Sequence, residues 1–198
     1  MVVCRVTDGF TLAEWEGGSM TASNQTAWTG FAVTRDASAA AARFPGRQLR
    51  VIDLKSGRER WRVDATDDSL MSLAFSPDGR ILASGAGFAD SVIRLWDAAD
   101  GRPLGQLEGQ RGWTSGLAFL ADGKHLVSSS GDQILRLWNV ETRTAVRTFR
   151  GHKTEVYALA LHADQRTLVS GGKDGAVHLW DLTSERGATA TGSFTPAS

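Results

Sequence analysis

From Gly151 to Asp181 the chain reads GHKTEVYALALHADQRTLVSGGKDGAVHLWD. Three short apolar runs, Val156 to Leu161, Thr167 to Ser170 and Ala176 to Trp180, alternate with the polar turns HADQ and GGKDG. Runs of about four to six residues that are rich in Val and Leu and bounded by Gly and Asp predict strands rather than helices. Joined by turns this short, they predict an antiparallel meander.

The pattern recurs upstream. Trp96-Asp97, Trp138-Asn139 and Trp180-Asp181 stand 42 residues apart. The cores of the first strands keep step: Leu73-Ala74-Phe75, Leu117-Ala118-Phe119 and Leu159-Ala160-Leu161. A polar turn follows each tryptophan pair. A period in the low forties is the length of four strands in one propeller blade.

Gly-His at the front, a Gly/Asp turn in the middle and Trp-Asp at the back resemble the repeat of the WD-repeat β-propellers. The resemblance implies an all-β fold in which four-stranded blades stack around a channel. Laid against this repeat, the rest of the chain falls into place. CRVTDGFTLAEWEGG aligns with WDAADGRPLGQLEGQ, so residues 1–18 read as a partial blade. Val2 to Arg5 is its third strand and Thr11 to Glu16 its outer strand. Residues 19–64 read as a degraded blade, with Gly30 to Val33, Ala39 to Ala42 and Leu49 to Asp53 as inner strands, Glu59 to Asp64 outside, and Ile52 in place of the tryptophan. DASAAAAR invites a helix on alanine propensity alone, but an uncapped helix of about eight residues is marginal and the register predicts a strand. Residues 65–108, 109–149 and 150–182 are three clearer blades. Residues 183–198 form a small, polar tail that predicts at most a weak strand around Ala188 to Phe194. The expectation is therefore a β-propeller of WD-repeat type with about four to four and a half blades, an arc of a larger ring. The last blade shows no convincing outer strand of its own.

At 198 residues the chain is long enough to bury a substantial core. Twenty-two basic residues balance 22 acidic ones, which argues against nucleic acid or an anionic membrane as the main partner, since both need a basic face. The single cysteine, Cys4, fits a reducing compartment. MVVCRVTDGF lacks the pattern of a signal peptide, and no apolar run approaches a membrane span. The expected location is the cytoplasm.

One constellation has the composition of a nucleophilic triad: His152, Ser170 and Asp174, with Trp180 beside them. The resemblance implies a structural role instead. In WD repeats these four places form a buried network in which the indole N–H donates to the serine, and serine and histidine link to the turn aspartate. Ser170 lies mid-strand, without the sharp elbow of a G-x-S-x-G nucleophile. The neighbouring repeats thin the network. One keeps Ser128, Asp132 and Trp138 with Gln110 in the histidine place; the other keeps Ser84, Asp90 and Trp96 with Thr66 there. His125, His152, His162 and His178 are scattered, no H-x-x-x-H or C-x-x-C occurs, and glycine patches lack the strand–loop–helix setting of a phosphate loop. No metal, cofactor or catalysis is expected. His178, alternating within a strand, is expected to face a groove or solvent.

In WD-repeat proteins the loops from outer to next inner strand, together with the turns between second and third strands, form a frequent docking face. Here that face would carry Phe88, Arg111, Trp113, Lys153, Glu155, Tyr157 and Lys173, though Trp113 and Tyr157 could equally tuck between blades. The expected function is a non-catalytic protein–protein interaction scaffold with a protein or peptide partner; open blade faces add the possibility of self-association. The alternative is the C-terminal regulatory or targeting propeller of a larger enzyme, such as a signalling kinase or NTPase.

Overall fold

A computed structural model describes residues 2–4, 11–14, 30–44, 48–64, 70, 72–87, 90–183 and 190–192. Among the described residues all the regular structure is antiparallel β-sheet. β1 (Val2–Cys4) pairs with β2 (Thr11–Glu14). Four sheets of four strands follow. The first holds β3 (Phe31–Val33), β4 (Ala39–Phe44), β5 (Gln48–Asp53) and β6 (Glu59–Asp64). The second holds β7 (Ser72–Phe75), β8 (Ile81–Gly85), β9 (Ile93–Asp97) and β10 (Pro103–Leu107). The third holds β11 (Thr114–Phe119), β12 (His125–Ser130), β13 (Ile134–Asn139) and β14 (Thr144–Arg150). The fourth holds β15 (Val156–Leu161), β16 (Thr167–Gly172), β17 (Val177–Asp181) and β18 (Ala190–Gly192). Each sheet is an up-and-down meander with its strands in chain order.

The alanine run folds as strand β4, buried at Ala39, Ala40 and Ala41. Packing against the next sheet outweighs helix propensity there, since methyl-sized side chains let two sheets approach closely. The last sheet carries its own outer strand: β18 pairs with β17 through Val177–Gly192, His178–Thr191 and Leu179–Ala190. β18 falls within the weak strand expected around Ala188 to Phe194 and supplies the outer strand that this sheet had not convincingly shown. Short backbone pairing of small residues needs no apolar pattern, which is why the sequence predicts only a weak strand there.

Alternation along the strands places one face of each sheet on its neighbour. Ala39, Ala41, Leu49, Val51 and Trp61 of the first sheet pack on Leu70, Leu73 and Leu82. Ala74, Ala83, Ile93 and Leu95 of the second meet Phe119, Leu126 and Trp138 of the third. Val127, Leu135 and Phe149 of the third meet Val156, Leu168 and Trp180 of the fourth. Innermost strands β3, β7, β11 and β15 adjoin one another in that order. The arrangement is an open arc. Phe31 (72% exposed) and Val33 (40%) lie uncovered at one end, Leu179 (40%) at the other.

Turn chemistry fixes the hairpins. Between β7 and β8 the Ser76 hydroxyl donates to Asp78 Oδ1 (2.6 Å) and accepts from the Ile81 amide (2.9 Å), while Gly79 takes φ 70°. Gly101 is constrained twice. Its φ is 77°, and a Cβ there would sit 2.6 Å from Cε3 of Trp61. That indole reaches across from the first sheet and donates to the Ala98 carbonyl at 2.9 Å.

Candidate functional site

Ser170 sits on β16 opposite His178 of β17, and Trp180 lies two residues further along the same face. Trp180 Nε1–H donates to Ser170 Oγ at 2.8 Å, and His152 Nε2 meets the same oxygen at 2.7 Å. All three are buried. His152 Nδ1 faces both oxygens of Asp174 at 3.2 Å. The carboxylate also accepts the Lys153 amide at 2.9 Å and the Ala176 amide at 3.1 Å. Gly172 makes room for this: a Cβ there would lie 2.5 Å from His152 Nδ1 and 2.7 Å from Asp174 Oδ1. Burial raises the pKa of Asp174, but the Lys153 and Ala176 amides and His152 outweigh it and hold the acid below its ordinary value. The loop before β15 is thereby tied to the β16–β17 turn and to the strands beneath.

The serine is not set up as a nucleophile. Its oxygen accepts the indole proton and lies beneath Trp180, fully buried, so no substrate carbonyl can reach it. The arrangement satisfies polar groups that would be costly to bury alone.

The third sheet runs a variant. Trp138 Nε1–H donates to Ser128 Oγ (2.9 Å), whose hydroxyl donates to Gln110 Oε1 (2.5 Å). Gln110 Nε2–H in turn donates to Thr114 Oγ1 (2.8 Å). The glutamine thus fills the histidine place as a bonded, buried member, but Asp132 stands outside the chain. It accepts the Arg111 amide at 2.9 Å and pairs with Arg136 at 2.8 Å. In the second sheet Trp96 Nε1–H donates to Ser84 Oγ at 2.8 Å, and Asp90 pairs with Arg94. Thr66 lies outside the described residues. The two arginines, two positions before their tryptophans, are members that the sequence reading missed. The Asp-x-x-x-Arg-x-Trp spacing was their signal.

His178 holds that arginine position in the fourth sheet. It is buried (4% exposed), not turned to a groove or solvent as its alternation first suggested. Two residues apart on a strand, His178 and Trp180 must share a face, and they stack at 5.3 Å. The His152 ring meets His178 edge-on at 4.3 Å. Burial and the neighbouring His152 lower the pKa of His178, with Asp174 opposing. Its Nδ1 is buried without a hydrogen-bond partner.

A second group lies where the loops meet. Trp113 and Tyr157 stack across the third and fourth sheets, ring centroids 5.7 Å apart and planes at 27°. A register shift between Val156 and Ala158 marks a bulge that turns Tyr157 outward, 40% exposed. Trp113 is half-buried, its indole lying against Gly131. Arg111, two residues before Trp113, and Lys153, four before Tyr157, are exposed, as is Lys173, whose Nζ reaches Glu155 at 3.5 Å. Of the expected docking residues, Trp113 meets Tyr157 and Lys173 meets Glu155, while Phe88 lies outside the described residues.

A family model for the WD domain, G-beta repeat, matches residues 58–97, 101–139 and 143–181. The chain belongs to the WD-repeat family. Each matched span joins the outer strand of one sheet to three inner strands of the next. Relatives are similar over parts of the chain. The protein named "Probable serine/threonine-protein kinase PkwA" from Thermomonospora curvata is 44% identical over 52 residues, 26% of this chain and 7% of its own length. An uncharacterized WD repeat-containing protein of Synechocystis is 30% identical over 82 residues, 40% of this chain and 23% of its own. A nuclear distribution protein of Mycosarcoma maydis is 38% identical over 65 residues, 33% of this chain and 13% of its own. The chain thus matches less than a quarter of the length of these relatives. No helix among the described residues is long and apolar enough to cross a membrane.

Proposed function

We propose that this WD-repeat chain is a protein-interaction scaffold without catalysis of its own, acting in the cytoplasm. It docks a peptide or protein segment on the loop face of its third and fourth sheets. The observation that carries this reading is the stacked Trp113–Tyr157 pair, partly exposed, with exposed Arg111 and Lys153 on the loops before β11 and β15 and exposed Lys173 in the β16–β17 turn. Aromatic and arginine side chains dominate binding hot spots, and a bulge-mounted tyrosine offers area at little entropic cost. The cationic flank favours a segment that carries acidic residues beside an apolar anchor.

Peptides selected from a random library on the full chain test it. Selected binders should lose at least tenfold in affinity on Tyr157→Ala and on Lys173→Ala, with unchanged circular dichroism. Binders indifferent to both substitutions would place the docking face elsewhere.

Similarity to a kinase-named protein favours a second reading, in which the chain is the regulatory or targeting propeller of a larger enzyme. Sequencing the flanking coding region decides it: a kinase or NTPase domain in frame supports this reading, and its absence removes it.

A further inference from the structure

In the second and third sheets the turn aspartate is neutralised by an arginine on the adjacent strand: Asp90 by Arg94, and Asp132 by Arg136. In the fourth sheet the same places hold Asp174 and His178, and the loop adds a second imidazole, His152. One carboxylate and two imidazoles therefore converge where the sister sheets place an ion pair. Their ligand atoms all lie within 4.8 Å of one another. His178 is 4% exposed, and its unpartnered Nδ1 belongs to a ring packed against His152 at 4.3 Å.

We propose that His152, Asp174 and His178 form a binding site for a divalent transition-metal ion of the zinc class, which takes the charge-balancing place that arginine holds in the sister sheets. Two imidazoles and a carboxylate are a ligand set that zinc accepts, with a fourth position left for water. His152 Nδ1 and Asp174 Oδ1 are 3.2 Å apart, close to the roughly 3.3 Å edge between ligands of a tetrahedron with bonds of about 2.0–2.1 Å. Closing the site needs mainly His178 to move inward. Metal on Nδ1 leaves the His152 proton on Nε2, where it donates to Ser170 Oγ at the observed 2.7 Å. An outer hydrogen bond of this kind orients a ligating histidine and fixes its tautomer. Gly172 keeps the approach between loop and turn open, since a Cβ there would collide with both ligands. The ion would clamp the loop before β15, the β16–β17 turn and β17 together.

The test uses the full 198-residue chain without an affinity tag, titrated with Co2+ and then Zn2+. One equivalent of Co2+ should give visible ligand-field absorption, one equivalent of Zn2+ should bleach it, and Zn2+ should raise the melting temperature. His178→Arg restores the residue of the sister sheets, so it should fold with or without metal. It should lose the absorption and weaken Zn2+ binding at least tenfold. His178→Gln, a smaller change, should do the same. His125→Asn with His162→Asn, at partly exposed sites, should leave binding intact. Absence of stoichiometric Co2+ binding to the unsubstituted chain overturns the proposal, as does binding that survives both His178 substitutions.

Discussion

Ser170 is the hub of the buried network, and removing its partners singly and together measures what the network contributes. His152→Ala takes away the 2.7 Å contact to Ser170 and the contact to Asp174, and opens a gap against Trp180 and His178. A buried polar group left unpaired costs about 1–3 kcal/mol, and an unfilled gap adds to it. The expected loss is about 2–3 kcal/mol. For a chain of this size 1 kcal/mol moves the melting temperature by roughly 2–4 °C, so His152→Ala should lower it by roughly 4–12 °C. Ser170→Ala orphans the indole N–H of Trp180, which is wholly buried, and should cost a similar amount. The double variant loses the shared contact only once. Its cost should fall short of the sum by about 1–2 kcal/mol, a coupling typical of groups in direct contact. Urea unfolding followed by tryptophan fluorescence on the four proteins gives the cycle. Costs that add to within about 0.5 kcal/mol would refute a linked network.

Trp61→Phe keeps the aromatic packing but removes the hydrogen bond from Trp61 to the Ala98 carbonyl across two sheets; unfolding should show a loss of about 1 kcal/mol or somewhat more. Because the folded pKa of His178 lies below its value in the unfolded chain, the unfolded state takes up the proton first as pH falls. Stability is then complete above about pH 7 and declines as pH drops from about 6.5 through the lower folded value. Melting curves in metal-free buffer from pH 8 to 5 should show this decline, reduced in His178→Gln; an unchanged slope in that variant would assign the loss to other groups. The uncovered faces at Phe31 and Leu179 should drive association of the isolated chain. Light scattering should give a mass above the 21.2 kDa monomer that falls on Leu179→Asp; a monodisperse monomer would contradict this.

Much of the fold was legible because a propeller repeats its constraints. Trp96, Trp138 and Trp180 recur at one spacing, and strands β7 to β9, β11 to β13 and β15 to β17 fall inside the units that this spacing defines. Serine, tryptophan, histidine and aspartate of the fourth sheet meet as their spacing implied, since a single sheet and its two loops bring them together. What was missed depends on neighbours that pattern does not supply. Trp61 finds its acceptor on a different sheet, whereas β18, held by backbone pairing of small residues, showed only as a weak strand. His178 was misread although the period of two puts it on the face of buried Trp180. A histidine in an arginine's place looks like a surface residue until that face is counted as interior.

Arginine at this position neutralises an aspartate in two sheets, through a long side chain that brings the charge from the strand to the turn. Histidine is too short to repeat that ion pair unaided, and His178 makes no hydrogen bond through Nδ1. The second histidine supplies the missing contact from the loop side: His152 takes over Asp174, and Ser170 and Trp180 secure His152 from below. The exchange is therefore coupled. Gln110, which bonds Ser128 but not Asp132, goes with an arginine on the strand; His152, which reaches both serine and aspartate, goes with a histidine there. The four positions behave as two alternative solutions to the same requirement, that a carboxylate bracing a turn be fully satisfied. Only the solution in the fourth sheet leaves an imidazole nitrogen spare beside it.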